Sequence, residues 1–467
     1  MQNRKKFRVF LILVCAVFAA SLLAYAQAPS STTGARDPGV RAGSVNAGQP
    51  LSTLSSDQLL FFQDGQSRFQ EVDQVANGLG PTFNSNSCSS CHSQPAVGGS
   101  SPSATQYPNV GPNPQVAAAT AGGATNTAPF FITADGPVRE VRFPFVVSNG
   151  RVTSTPDGGV HDLYTIAGRS DAAGCTLAQP NFEQAEQLNN MIFRIPTPVF
   201  GAGLIENIAD STILANMLAN SSLKRSLGIS GHPNTSGNDG TITRFGWKAQ
   251  NKSLQIFSGE AYNVEIGVSN EDFPDERGNP PASCVFNPTP EDHTNFDQTG
   301  DQIPSDVVEF SHFMRFLAPP TPSSVGIPGN PSASVIQAGR AIFSQIHCDM
   351  CHTPQLPTAA SNYTPALSNQ QAALFSDLLV HNMGSGLADN VSQGGAGPDE
   401  FRTAPLWGVG QRIFFLHDGR STPENGGLVN AIQQHAGNGS EANTVISLYN
   451  QLSTQQKQEL LYFLRSL

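Results

Sequence analysis

Phe343-Ser-Gln-Ile-His-Cys348-Asp-Met-Cys351-His352 follows the same plan as Phe83-Asn-Ser-Asn-Ser-Cys88-Ser-Ser-Cys91-His92. Both stretches end in C-x-x-C-H, the attachment signature of c-type haem. Two thiols one helical turn apart can form thioethers with the two vinyl groups on one porphyrin edge. The next His then offers Nε2 to the iron. Cys88, Cys91 and His92, and again Cys348, Cys351 and His352, are therefore read as two covalent haem sites, with His92 and His352 as proximal ligands. A zinc site built from both Cys pairs is the rival. It gives no reason for a His directly after each pair. A redox C-x-x-C would sit in a thioredoxin-like βαβ setting, and neither pair does.

Outward from the motifs, the two halves keep the same order of signals. Arg194…Pro198-Val-Phe-Gly-Ala-Gly203 matches Arg402…Pro405-Leu-Trp-Gly-Val-Gly410, and Arg244-Phe-Gly-Trp247 is echoed by Phe414-Phe-Leu-His417. Chance likeness of short Gly/Pro loops is the plainer explanation, but three signals recur in one order. The spacing from motif to Pro is longer in the first half, which implies an insertion there. Residues 98–128 (GGSSPSATQYPNVGPNPQVAAATAGGATNTA) form its low-complexity part and read as a surface insertion.

Helical periodicity appears over 57–74, 212–226, 253–264, 306–317, 334–346, 369–380 and 453–467, with no comparable series of alternating strands. Ala338 to Gln345 is a short helix running into the second Cys pair, as at the start of a small cytochrome c domain. The expected class is mainly α: two cytochrome c-like haem domains with long loops and an insertion in the first. The expected organisation is a signal peptide at 1–26, a flexible tether at 27–50, an N-terminal haem domain at 51–317, a Pro-rich linker at 318–334 and a C-terminal domain at 335–467.

Composition supports an exported, globular protein. Arg4, Lys5, Lys6 and Arg8 precede an apolar run, Val9 to Leu23, and Ala24-Tyr25-Ala26 precedes Gln27. That is a signal-peptide layout; an uncleaved anchor is the alternative, the run being near the lower limit for a span. The location read from this is periplasmic or otherwise exported, with no membrane span after cleavage. The full chain carries a formal charge of −11, and losing those four cations takes it to −15. That charge argues against nucleic acid as a partner. Hydrophobic content of 38% and 28 Phe allow a core, although Gly (44) and Pro (34) are frequent.

Cys175 and Cys284 have no Cys or His neighbour; they pair with each other or remain two buried thiols. No His lies near the first motif on its C-terminal side before His161, so the first iron keeps an open sixth position. For the second iron the candidates are His381, Met383, His417 and His435, and Met383 is equally well read as a core residue.

Gly78-Leu-Gly-Pro-Thr-Phe83 through Pro95, Gly201-Ala-Gly-Leu-Ile-Glu206, Arg244-Phe-Gly-Trp-Lys-Ala249 and Phe415-Leu-His-Asp-Gly-Arg420 resemble the exported bacterial di-haem oxidoreductases, sometimes labelled thiol oxidoreductases. More remotely, the chain is similar to the di-haem cytochrome c peroxidases and the di-haem enzyme of methylamine utilisation. The resemblance covers about residues 55–467.

It implies that hydrogen peroxide or a related oxidant reacts at the first haem and that a small electron-donor protein feeds the second. It places Trp247 between the haems and Glu265 as the acid/base, each weighed against an ordinary core Trp and a helix-surface carboxylate. Glu206 is the next carboxylate to consider. Phe257 stands where the peroxidases carry a distal Gln. The sixth ligand of the second haem follows the Phe-His-Asp-Gly segment by one helix, which points to His435 ahead of Met383 and leaves His417 near the haem edge. A calcium ion between the domains would also follow from the likeness, though no ligand loop marks it. The expected function is a peroxidase-like di-haem oxidoreductase. The alternatives are a di-haem electron carrier with both irons closed and a structural surface protein.

Overall fold

The computed structural model describes residues 34–43, 45–102, 113–119, 121–295, 304–361 and 364–467. The expected signal peptide at 1–26 lies outside the described residues. The chain divides into Met1–Arg36 and Asp37–Leu467. Of the first unit only residues 34–36 are described, without regular structure.

Six helices of the second unit place the cavities: α1 (Ser56–Phe69), α2 (Leu254–Ala261), α3 (Asp306–Phe316), α4 (Ala333–Gln345), α5 (Leu428–Gln433) and α6 (Thr454–Ser466). Capping boxes start α1 (Ser55 with Gln58) and α6 (Ser453 with Gln456), each satisfying two backbone donors that the helix leaves free. α1 packs against α3, and α4 against α6. Each crossing depends on a glycine. A Cβ on Gly65 would lie 2.2 Å from the Glu309 carbonyl oxygen, and one on Gly339 2.0 Å from that of Glu459. One turn further, Phe69 packs on Phe313 with ring centres 4.9 Å apart, and Phe343 on Phe463 at 5.5 Å. Burying each such ring contributes about 1.5–3 kcal/mol.

The expected class needs correction. Helix accounts for 33% of the structure and strand for 12%, so the molecule is mixed rather than mainly α, and it does not present two all-helical cytochrome c-like domains. The strands form two-stranded antiparallel sheets, including β1 (Glu140–Arg142) with β2 (Ile192–Arg194) and β3 (Val380–Asn382) with β4 (Glu400–Arg402). Strands of three residues are too short to show alternation in the sequence.

Helix boundaries moved where glycine-like backbone intervenes. The 212–226 run splits at Asn220 (φ 55°) into Asp210–Leu218 and Ser221–Leu227. The 369–380 run is not helical: Asn369, Phe375 and Leu378 have φ of 53°, 52° and 63°. Its backbone instead bonds to the second motif, Ser376 N to Thr353 O at 3.0 Å and Asp377 N to Cys351 O at 2.9 Å.

The described parts of two low-complexity stretches also make buried contacts. In the stretch read as a tether, Asp37 accepts from Arg465 Nε and Nη2 at 2.8 and 2.7 Å, and the buried Arg41 bonds the Leu467 carbonyl at 3.2 Å. These charges bind it to α6. Within 98–128, Gln115 is buried and joins Asn84 and Arg139 through its side-chain amide, so this part is core rather than surface. Cys175 and Cys284 form a disulfide. Among the described residues no helix is long and apolar enough to cross a membrane.

Candidate functional site

The first motif forms a single helical turn, Cys88–Cys91. His92 follows it, with Nδ1 3.0 Å from the Gly99 carbonyl oxygen and the Phe69 ring edge-on at 5.9 Å. Burial lowers the imidazole to about 4, so it is neutral, and the carbonyl directs the proton to Nδ1 and leaves the lone pair on Nε2. Cys88 and Cys91 are free thiols, and burial pushes Cys91 up to about 12. A redox C-x-x-C needs the opposite shift.

Around this motif lies a cavity with about 1150 Å³ of empty space, its open mouth included. His92 is the one histidine among its described lining residues. Its charged wall is Glu265, Glu140, Glu260, Arg142, Arg139 and Arg194. Glu265 ends α2 through a π-helical turn, Tyr262–Ile266, and its carbonyl is fixed by Asn84 N and Ser85 N at 2.8 and 3.2 Å. Its carboxyl is held well above the usual range by burial, then by the neighbouring charge of Glu140. Glu140 faces the same burial, but Arg142 and Arg194 hold it below its usual value, and it hydrogen-bonds Glu265. The pair therefore keeps one proton, on Glu265, with the charge on Glu140. Arg142 also pairs directly with Glu140.

The second motif borders a cavity of about 1450 Å³. His352 Nδ1 lies 2.9 Å from the Phe375 carbonyl oxygen, and His435 Nδ1 2.8 Å from that of Ala431. The ring centres of His352 and His435 are 6.5 Å apart. Metal–imidazole bonds of about 2.0–2.1 Å, plus roughly 1 Å from nitrogen to ring centre on each side, separate two rings sharing one metal by about 6–6.5 Å. With both Nδ1 atoms engaged, the two Nε2 atoms are left for that metal. A haem fits this donor set.

Met383 and His417 line the same cavity without such an arrangement. His417 stacks on Phe401 with ring centres 4.2 Å apart, and burial lowers it to about 4. His381 is clamped between Asp377 Oδ2 at 3.0 Å and Glu441 Oε2 at 2.8 Å. Cys351, Asp377 and His381 together have metal-ligand spacing, but this set lacks the six to eight oxygens that calcium takes.

Trp247 is the one described residue that lines both large cavities. Its Nε1 donates to the Ile195 carbonyl at 2.9 Å, and its ring meets His417 edge-on at 6.4 Å. The equivalence of the halves extends here. Phe245 pairs with Asn251 in an antiparallel bridge, as Phe415 does with Ser421. After each bridge comes a helix opened by leucine, α2 at Leu254 and α5 at Leu428. Counting from those leucines, Phe257, Ser258 and Ala261 line the first cavity where Ala431, Ile432 and His435 line the second. The first helix thus carries alanine at the position where the second carries histidine.

Sequence reasoning missed Glu140 and Arg142, which precede Glu265 by more than a hundred residues and carry no motif. Ala261 was equally silent, since its meaning depends on superposing the two halves. Glu206, the reserve carboxylate, is bound to Arg315 at 2.7 Å and to Leu254 N at 2.8 Å and does not line the first cavity.

The family described as "Di-haem oxidoreductase, putative peroxidase" matches residues 160–467. That span contains the second motif and begins after the first. Among curated proteins nothing matches. Among solved structures, hydrazine synthase of Kuenenia stuttgartiensis, pressurized with 20 bar xenon, is similar at 12% identity over 94% of this chain and 97% of that chain, with a TM-score of 0.33. A likeness that weak carries no argument about fold or function.

Proposed function

The chain belongs to the di-haem oxidoreductase family, and from that premise we propose an exported c-type enzyme in which peroxide or a related oxidant reacts in the N-terminal cavity and electrons enter through the C-terminal one. The attachment residues are Cys88, Cys91, Cys348 and Cys351; the iron ligands are His92, His352 and His435. When bound, the haems supply electrons and, at the N-terminal site, a coordination position for the oxidant.

The chain's own residues do the rest. Glu265 holds a proton beside a charged Glu140, so its carboxyl oxygen can pass that proton to the departing oxygen of a peroxide and recover one from water. Arg142 keeps Glu140 ionised and stops the pair from taking a second proton. Trp247 offers an aromatic bridge between the cavities. Residues 51–317 and 335–467, joined by 318–334, contribute one attachment motif each. Export is supported by the signal-like N-terminus and by a disulfide of the kind found in oxidising compartments. A small electron-donor protein would supply the reductant.

The observation that carries the reading is the asymmetry of the cavities, His435 near His352 and Ala261 in its place near His92. Electron paramagnetic resonance of the oxidised, haem-loaded protein tests it. One high-spin and one low-spin signal are expected, with only the first responding to cyanide or peroxide. Two low-spin signals, neither responding, would make the protein an electron carrier instead.

A further inference from the structure

Arg402 is buried and Arg412 half-buried with its Nε enclosed, and neither cation meets an acid among the described residues. Arg402 Nε donates to the Gly246 carbonyl at 3.0 Å. Arg412 Nη2 reaches only the Pro405 carbonyl at 3.4 Å, and its Nε has no partner. Neither forms an ion pair among the described residues. The buried Arg194 and Arg465, by contrast, pair with Asp389 and Asp37 at 2.7 Å each. Burial and then the charge of Arg412 bring Arg402 down to about 10, and burial alone brings Arg412 to about 10. A guanidinium rarely occupies such a place without a counter-charge.

Both side chains line the C-terminal cavity. Both also line a smaller cavity of about 510 Å³, bordered by Trp247 and Phe257 and by none of the four motif cysteines. On a porphyrin the two vinyl positions lie on the edge away from the two propionates. A haem tethered at Cys348 and Cys351 therefore turns its carboxylates away from those sulfurs. We propose that Arg402 and Arg412 are the counter-charges for the propionates of the C-terminal haem, and that they set its carboxylate edge toward Trp247.

Bidentate guanidinium–carboxylate pairing suits two propionates and two arginines. Besides the motif thiols Cys348 and Cys351, the other titratable groups lining the cavity are His347, His352, His381, His417, His435 and Glu441. Lys248 and Glu400 flank Arg402. Glu441 is engaged by His381 and Glu400 by His232, so neither competes for the arginines. A cation close to the haem favours the ferrous state, and a paired, buried propionate stays ionised on reduction.

This inference rests on the C-terminal cavity holding haem. Mass spectrometry of the haem-loaded full chain tests that premise separately: a chain without haem there overturns the functional reading. With haem present, optical redox titration tests the inference. The parent's C-terminal midpoint potential should not vary with pH from about 5 to 8, because the propionates are held ionised. Arg402→Gln and Arg412→Gln should lower the potential and make it pH-dependent in that window, while Arg412→Lys should restore most of the parent value. A parent potential that already follows pH there overturns the inference, whether or not the variants fold. So does a fully haem-loaded Gln variant that matches the parent.

Discussion

Ala261 occupies in the N-terminal half the place that His435 occupies in the C-terminal half. Each lies seven positions beyond the leucine that opens its helix, Leu254 or Leu428, and each lines its cavity. In the function proposed above, one methyl group in place of one imidazole is what would leave the first cavity room for an oxidant and close the metal position of the second.

Ala261→His should therefore close the first site. The N-terminal haem should pass from high to low spin, and its reaction with peroxide should be lost. The C-terminal spectrum should not change. Electron paramagnetic resonance and stopped-flow mixing measure the two effects, and a haem that stays high-spin would show that the halves are not equivalent at this position.

His435→Ala should make the C-terminal haem high-spin, because among the described residues no other imidazole ring pairs with that of His352 as His435 does at 6.5 Å. Met383→Ala should leave that haem unchanged, and the parent should show no near-infrared band of a Met-ligated ferric haem. If Met383→Ala changes the spin state instead, the ligand has been misassigned.

Glu265→Gln should slow the reaction of peroxide by roughly 10²- to 10⁴-fold, the usual loss for a general acid/base, with haem content and spectra retained. Glu265 is held well above the ordinary carboxyl range, so the parent carries the acid below that raised value and loses it as pH rises through it. The parent's rate should fall on the alkaline side, and the Gln variant's should not. Equal rates for the two would remove Glu265 from the chemistry.

Trp247→Phe should leave the first reaction with peroxide intact and slow the arrival of electrons from the C-terminal haem. Its ring lines both cavities, and Phe cannot make the 2.9 Å bond from Nε1 to Ile195 that orients it. Stopped-flow spectroscopy of the half-reduced protein separates the two phases. An unchanged second phase would leave Trp247 a packing residue.

Stability should be higher near pH 5 than near pH 8. Burial raises Asp73 to about 7, Asp162 and Asp292 to about 6, and Glu276 to about 8. The folded chain holds these protons, and that of the raised Glu265, where the unfolded chain has released them, so their contribution to stability falls as pH rises through that window; His92, His352 and His417, lowered to about 4, work the other way because the unfolded chain protonates them near pH 5, and the carboxyls are the more numerous. Asp37 and Asp389 are lowered instead and lose their contribution only below the ordinary carboxylate range. Thermal unfolding at the two pH values measures the difference; a higher Tm at pH 8 would contradict it.

What the chain determined by itself was local. The C-x-x-C-H spacing and the periodicity of 306–317, 334–346 and 453–467 each act within a few residues, so they could be read before any packing was known. The order of repeated signals was legible for the same reason, whereas the residues alone left His381, Met383, His417 and His435 open and only the family resemblance put His435 first.

Tertiary structure decided the rest, because it turns on groups far apart in sequence competing for one buried space. Periodicity at 369–380 favoured a helix, but Phe375 must present its carbonyl to His352, and the backbone turned to do so. Glu265 lies beside Glu140, and their shared proton exists only because burial forbids two charges there. Arg41 and Asp37 sit in a stretch with a tether's composition, yet each meets a buried partner at the C-terminus. A sequence states which side chains are available; which of them share a desolvated cavity, and so which hold a proton or a charge, follows only from the packing.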